Sequence, residues 1–296
     1  MRPSGRALES PAVAFAAPEG PPVDLLVQAI VLGIVQGLTE FLPISSAGHL
    51  IIAPAVLGWN DPFLESLAFS VMLHLGTLVA LLVYFRHDWL RLLRAAGALL
   101  RSRAVAGDSD RWMVILIAVT VVPAAVVGVV LNDVIERELR SIGLVAVMLV
   151  VGAAVLWLAE RWGSHSRSME QLSTRAAFGI GLAQAVALVP GVSRSGVSIA
   201  GGLFAGLTRE SAARFSFLMS GPIIAGAVLF ESRKLVSTEA GLSGHPEVLV
   251  AGVLAAFLSG IAAIHLLLGY VRRHSLNIFI AYRLVVAAAI AIWWLR

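Results

Sequence analysis

An all-α polytopic membrane protein, built from two inverted-topology repeats that each hold a re-entrant helical hairpin plus three transmembrane helices, is the fold this sequence predicts. Three observations predict it. Of 296 residues, 58% are apolar and 14% charged, with a mean hydropathy of +0.88, too few charges for a soluble surface. Most of the apolar residues fall in runs long enough to cross a hydrocarbon layer of about 30 Å at 1.5 Å per residue. Finally, the first half of the chain matches the second without a gap when shifted by 148 residues: Ala29, Gly33, Gln36, Ser45, Gly48 and Ile51 fall on Ala177, Gly181, Gln184, Ser193, Gly196 and Ile199. That offset is half the chain, as an internal duplication requires.

Residues 1–23 carry Arg2, Arg6 and five prolines between short apolar patches. They are too broken for a signal-peptide core and read as a flexible tail before a single membrane domain, 24–296. Repeat one (24–160) opens with Gln28 to Ile52, an apolar run interrupted at Pro43. Proline disfavours helix continuation and the following serines favour a cap, so the run reads as a short helix, a tight turn and a second short helix. Leu67 to Phe85 is an uncharged span. Residues 86–111 form the largest loop and contain six arginines, which marks its face as cytoplasmic. Trp112 to Leu131 and Ile142 to Ala159 are two more spans.

Arg161 to Arg175 is a polar linker. Repeat two (176–296) opens with Ala176 to Leu207, again an apolar run, broken at Pro190-Gly191, and continues with spans Phe215 to Phe230, Val248 to Val271 and Leu276 to Leu295. Three spans per repeat, with hairpins that enter and leave on one face, force opposite orientations on the two repeats. Irregular backbone at membrane depth must be buried in protein or line a wet cavity, so the two hairpins should meet at a shared polar pocket. On this topology the loop-bearing face holds thirteen Lys and Arg and the other face seven, which places both termini outside the cytoplasm.

Composition also excludes function classes. A formal charge of +4 and a pI near 10.3 could suggest nucleic acid, but the arginines lie between the apolar runs, the pattern of topology rather than of a basic groove. No nucleic-acid partner is expected; the bilayer is. The absence of cysteine rules out disulfides, thiolate zinc and sulfur redox chemistry.

Candidate chemistry concentrates at the two breaks. Gln36 and Glu40, four apart, share one helical face. As an all-oxygen pair they could hold a hard cation, Mg²⁺ or Ca²⁺, that would share phosphate oxygens; Glu40 could equally be a general base, or a protonated helix-to-helix strut. Ser46 and His49 suggest a nucleophile with its base, whereas helix capping suits Ser45 better. In the second break, the Arg194 guanidinium offers a planar fork for phosphate or carboxylate oxygens, flanked by the Ser193 and Ser195 hydroxyls and the first N–H groups of the next helix. The structural alternative makes Arg194 a cap for the other hairpin's carbonyls. His74 and His265, alone on apolar spans, read as satisfied core residues. Arg283, inside the last span without an acidic neighbour in sequence, must find a partner or an anion, and both readings stay open. Small residues along the spans read as close helix packing.

Gln36-Gly37-Leu38-Thr39-Glu40 followed by Phe41-Leu42-Pro43-Ile44-Ser45-Ser46-Ala47-Gly48-His49, with Pro190-Gly191-Val192-Ser193-Arg194-Ser195-Gly196-Val197-Ser198 in the second half, resembles the bacterial undecaprenyl-diphosphate phosphatase family, the BacA/UppP type that recycles the lipid carrier of cell-wall synthesis. The resemblance runs from about residue 24 to the C-terminus and takes in Phe215 to Leu218 and the Tyr282-Arg283 pair. It implies that Glu40 belongs to the family's essential acidic motif, whose first position is Glu or Gln in the family and is Gln36 here, which weakens any mechanism needing two carboxylates at this site. It further implies that Ser46 and His49 act in hydrolysis, and that Ser193, Arg194 and Ser195 bind the diphosphate, with Ser198 standing where threonine is common.

The expected function is therefore removal of the terminal phosphate from a polyprenyl diphosphate by a multi-pass protein of the bacterial cytoplasmic membrane, with the pocket on the outer face as the resemblance implies. Arg194, serine hydroxyls and helix N-termini would neutralise charge, Glu40 with a divalent cation would position, and Ser46 or water activated by His49 would attack. Inverted repeats with broken helices are equally a transporter signature, so a carrier or flippase for an anionic lipid is the rival. A passive scaffold is third. Prenyl chain length and oligomeric state, a homo-oligomer included, are left open.

Overall fold

The computed structural model describes residues 23–102, 105, 107–131, 138–237 and 246–294, so nearly all of the tail predicted over 1–23 lies outside the described residues. Eleven α-helices occur among them: α1 (Val23–Phe41), α2 (Ser46–Leu57), α3 (Leu67–Tyr84), α4 (Arg86–Arg101), α5 (Ser109–Val130), α6 (Ile142–Trp162), α7 (Thr174–Val186), α8 (Arg194–Phe204), α9 (Arg209–Ser237), α10 (Pro246–Val271) and α11 (Asn277–Trp294). The only β pairing among the described residues is a single bridge between Arg167 and Leu207. The protein is an all-helical, multi-pass membrane protein. α1, α5, α6, α9, α10 and α11 are each long and apolar enough to cross a bilayer, and α3 with α4 forms a bent pair.

Two expectations need correction. The first arm of hairpin one is not short: α1 has 19 residues, roughly 28 Å, because nothing before Pro43 breaks its helical pattern. Its counterpart α7, with 13 residues, and the second arms α2 and α8, with 12 and 11, are too short to span. The arginine-rich stretch after Phe85 is also no loop. Arg86–Arg101 is a helix turned 85° from the end of α3, since the charges that stop the span still suit helix formation on an amphipathic surface. After it, Asp108 caps α5 by accepting the Asp110 and Arg111 N–H groups at 3.1 and 3.0 Å.

Part of the packing follows the 148-residue shift. α1 lies along α10 and its counterpart α7 along α5, and α3 meets its own counterpart α9, a pattern consistent with two repeats related by a pseudo-two-fold; α6 meets α11. Gly33 and Gly181, equivalent under the shift, sit at the two corresponding crossings. A Cβ on Gly181 would lie 2.6 Å from the Thr120 carbonyl oxygen, and one on Gly33 would collide with the Gly252 carbonyl. Small residues let these helix backbones touch, as membrane packing favours. Across α1 and α9, Phe41 is buried edge-on against Phe217 at 5.4 Å. Because Phe41 closes α1, this contact fixes the rotation of the turn that carries Glu40.

Candidate active site

The two breaks have the same backbone. Ser45 (φ 78°, ψ 93°) and Ser193 (φ 77°, ψ 109°) precede α2 and α8, in a region that side chains rarely adopt. Such a conformation costs about 1–3 kcal/mol and persists only where the surroundings over-determine it. Here they do. The Ser45 hydroxyl accepts the Gly48 N–H at 3.4 Å and, from the other hairpin, the Gly191 N–H at 3.1 Å. Ser193 accepts the Gly196 N–H at 3.1 Å and lies 3.2 Å from the Ser195 hydroxyl, which itself donates to the Leu42 carbonyl across the breaks at 2.9 Å. Capping, expected of Ser45, thus extends to Ser193, and Ser195 joins the hairpins.

Arg283 completes the lock. Its side chain is fully buried and donates to Pro43 O (3.1 Å) in one break, Gly191 O and Val192 O (2.9 Å each) in the other, and Leu149 O (3.1 Å) and Met148 O (3.3 Å) in α6. The carbonyl-capping role considered for Arg194 therefore belongs to Arg283. Gly152 is required beneath it, since a Cβ there would run into the guanidinium.

With the breaks held face to face, the Glu40 carboxylate becomes the hub. Glu40 is 6% exposed. Its Oε2 accepts from Ser46 Oγ at 2.6 Å and from Gln36 Nε2 at 3.1 Å and lies 3.4 Å from His74 Nε2, while Oε1 pairs with Arg194. Ser46 and Arg194 are the first residues of α2 and α8, so two helix N-termini point into the same place. The shift aligns Ser46 with Arg194 and Glu40 with Leu188. The two breaks therefore bring different groups to aligned positions, a hydroxyl and a carboxylate from one and a guanidinium from the other.

Sequence spacing paired Ser46 with His49; the structure gives each another partner. Ser46 bonds Glu40. His49 Nδ1 lies 2.7 Å from the Ser45 carbonyl and Nε2 2.9 Å from the Tyr282 hydroxyl, with the two rings stacked at 5.7 Å. The reason is helical geometry: a residue at the first position of a helix points back toward the break, while one three further on lies over the turn and meets the neighbouring helix. Ser198, one turn beyond Arg194, is buried with no hydrogen-bond partner for its hydroxyl.

His74, read as a core residue, joins the hub. Its Nδ1 lies 2.7 Å from the Ser70 carbonyl, which makes Nδ1 the donor and aims Nε2 at Glu40. No local pattern on α3 signals this, because the contact is made only when α3 packs against α1. His265, by contrast, lies away from the hub, with Nδ1 3.3 Å from the Tyr84 hydroxyl.

Chemically the site offers a hydroxyl in hydrogen-bond contact with a carboxylate, a guanidinium paired with that carboxylate and carrying further donors suited to oxyanions, and two convergent helix N-termini. For a cation it offers Glu40 and the Gln36 Oε1 atom, which is buried without a partner. No group of three or more His, Cys, Asp or Glu able to hold a metal occurs among the described residues.

Residues 29–289 match the family model described as bacitracin resistance protein BacA. Similar proteins named undecaprenyl-diphosphatase come from Gemmatimonas aurantiaca, 46% identical over 89% of this chain and 96% of the relative, and from Thermomicrobium roseum, 48% identical over 87% and 94%. A third, from Desulforudis audaxviator, is 43% identical over 90% and 96%.

Proposed function

This chain belongs to the bacitracin resistance protein BacA family, and on that premise we propose that it is a membrane-embedded hydrolase that cleaves undecaprenyl diphosphate to the monophosphate and phosphate, returning the lipid carrier to cell-wall synthesis. The observation that carries the reading is the 2.6 Å hydrogen bond from Ser46 Oγ to a Glu40 carboxylate that also pairs with Arg194. A carrier needs an anion grip; a hydroxyl set on a carboxylate beside that grip is the equipment of a transfer reaction.

In this reading Ser46 Oγ attacks the terminal phosphorus and its proton passes to Glu40 Oε2. The bond from that phosphorus to the bridging oxygen breaks, and its electron pair leaves with undecaprenyl phosphate. Water then cleaves the phosphoserine: its oxygen bonds the phosphorus as the bond to Ser46 Oγ breaks, Glu40 returns its proton to Ser46 Oγ, and the phosphate leaves with the protons of the water. A guanidinium has five donors, so Arg194 can keep one on Glu40 while others take the oxygens on which charge grows, joined by the N–H groups that open α2 and α8. His49 supports the turn that presents Ser46, and Ser193, Ser195 and Ser198 line the diphosphate side.

Glu40 and Gln36 Oε1 suit a divalent cation, Mg²⁺ or Ca²⁺, that draws its other ligands from the diphosphate, since one carboxylate alone makes no resident cage. When bound, the cation would supply charge neutralisation on the phosphoryl oxygens.

The test is phosphate release from purified protein in detergent, where no gradient exists, with undecaprenyl diphosphate. Turnover is expected, falling to background with EDTA and returning with Mg²⁺ or Ca²⁺. No turnover under any condition would favour a carrier, and full activity in EDTA would remove the cation. Arg194→Lys is expected to lower kcat on the order of 10²-fold or more, the cost of removing one aimed donor, with KM little changed, because lysine keeps the charge and loses the fork. Near wild-type kinetics in a folded variant would take Arg194 out of the reacting centre.

A further inference from the structure

α4 is the amphipathic element that the chemistry leaves unused. It begins at Arg86, just beyond the α3 span, and turns 85° from it. With α3 crossing the bilayer, α4 lies near the membrane plane at headgroup depth. Leu92 and Ala95 dock its 16 residues on the bundle, whereas Leu90, Leu93 and Leu100 are 50%, 66% and 91% exposed. At 100° per residue these leucines share a sector of about 80°, and Arg94 and Arg101 fall directly beside it. Arg91 is taken by Asp88 and Asp110, but Arg94 and Arg101 are exposed and have no acidic partner among the described residues.

We propose that α4 is a binding surface for acidic phospholipid: the leucine stripe lies among the acyl chains, and Arg94 and Arg101 reach the headgroup phosphates. An apolar stripe edged by arginines on a helix lying in the membrane plane is what an interfacial anchor requires. Arginine stems lie along apolar surface while the charged heads stay in the wet layer, where an anionic leaflet attracts them.

The full-length protein in nanodiscs of phosphatidylcholine, with and without phosphatidylglycerol, tests this by melting temperature and by native mass spectrometry of retained lipid. Phosphatidylglycerol is expected to raise the melting temperature of the wild type. Arg94→Gln combined with Arg101→Gln should lose most of that rise and hold phosphatidylglycerol roughly thirtyfold more weakly, the worth of two charges at an anionic surface, with phosphate release in detergent unchanged. Arg273→Gln, an exposed position after α10, should respond as wild type. The proposal is overturned by an undiminished response in the double variant, by an equal loss in Arg273→Gln, or by a dimer in phosphatidylcholine alone that the double variant dissociates, which would make α4 a protein interface.

Discussion

Ser46→Ala and Glu40→Gln are each expected to lower kcat for undecaprenyl diphosphate by about 10³-fold or more, and the double variant to be hardly worse than the weaker single one. Two groups that act as one device fail together: without the hydroxyl the carboxylate has no proton to receive, and without the carboxylate the hydroxyl keeps its proton. The 2.6 Å bond between them is the geometric basis for treating them as such a unit. His49→Ala should retain a larger share of kcat, because the ring contacts the Ser45 carbonyl and Tyr282 rather than Ser46. Glu40→Gln also deprives Arg194 of its partner, and breaking a buried ion pair can cost several kcal/mol, about 3–5 in the severe cases. Melting must therefore be followed alongside, with Ser46→Ala as the variant free of that complication. Losses that multiply across Ser46 and Glu40 would separate their roles, and a near wild-type Ser46→Ala would assign the attack to water.

Arg283→Met should be the most damaging change to the fold. It leaves the Pro43, Gly191 and Val192 carbonyls, which belong to no helix, without the donor they share. At about 1–3 kcal/mol for each buried acceptor left unmet, the loss is several kcal/mol, a large part of the stability of any domain. The carbonyls of Leu149 and Met148 lie within α6 and should matter less. Loss of a monodisperse protein, or a large fall in melting temperature, is expected. Arg283→Lys should recover little, since one ammonium cannot reach both breaks and α6 in the directions a fork does. A folded Arg283→Met protein with ordinary turnover would show that the strained serine turns hold without it.

Much of this was legible in the chain because the physics involved is local. Runs of apolar residues report spans through their length alone. Pro43 and Pro190 announce breaks because each is followed within three residues by a capping serine, whereas Pro123 and Pro222 lie inside α5 and α9, and the 148-residue shift locates the second break from the first. The same locality misled where helix length was at issue: proline marks where α1 stops but not where it begins, and arginines after Phe85 end a span without ending helical structure.

Which side chains meet is another matter. Sequence determined that Glu40, Ser46, His49, Arg194 and Arg283 sit at or near membrane depth, where each must have a partner. It could not choose the partners, because spacing along one helix favours neighbours such as Ser46 and His49 over contacts between helices. Tertiary structure decided that Ser46 turns to Glu40, that His74 reaches the same carboxylate from α3, and that Arg283, 240 residues after Pro43 in the chain, serves both breaks. The physical reason is that a buried polar group is satisfied by whatever donor or acceptor the packed helices bring within about 3 Å, and that geometry exists only once the two hairpins are pressed together.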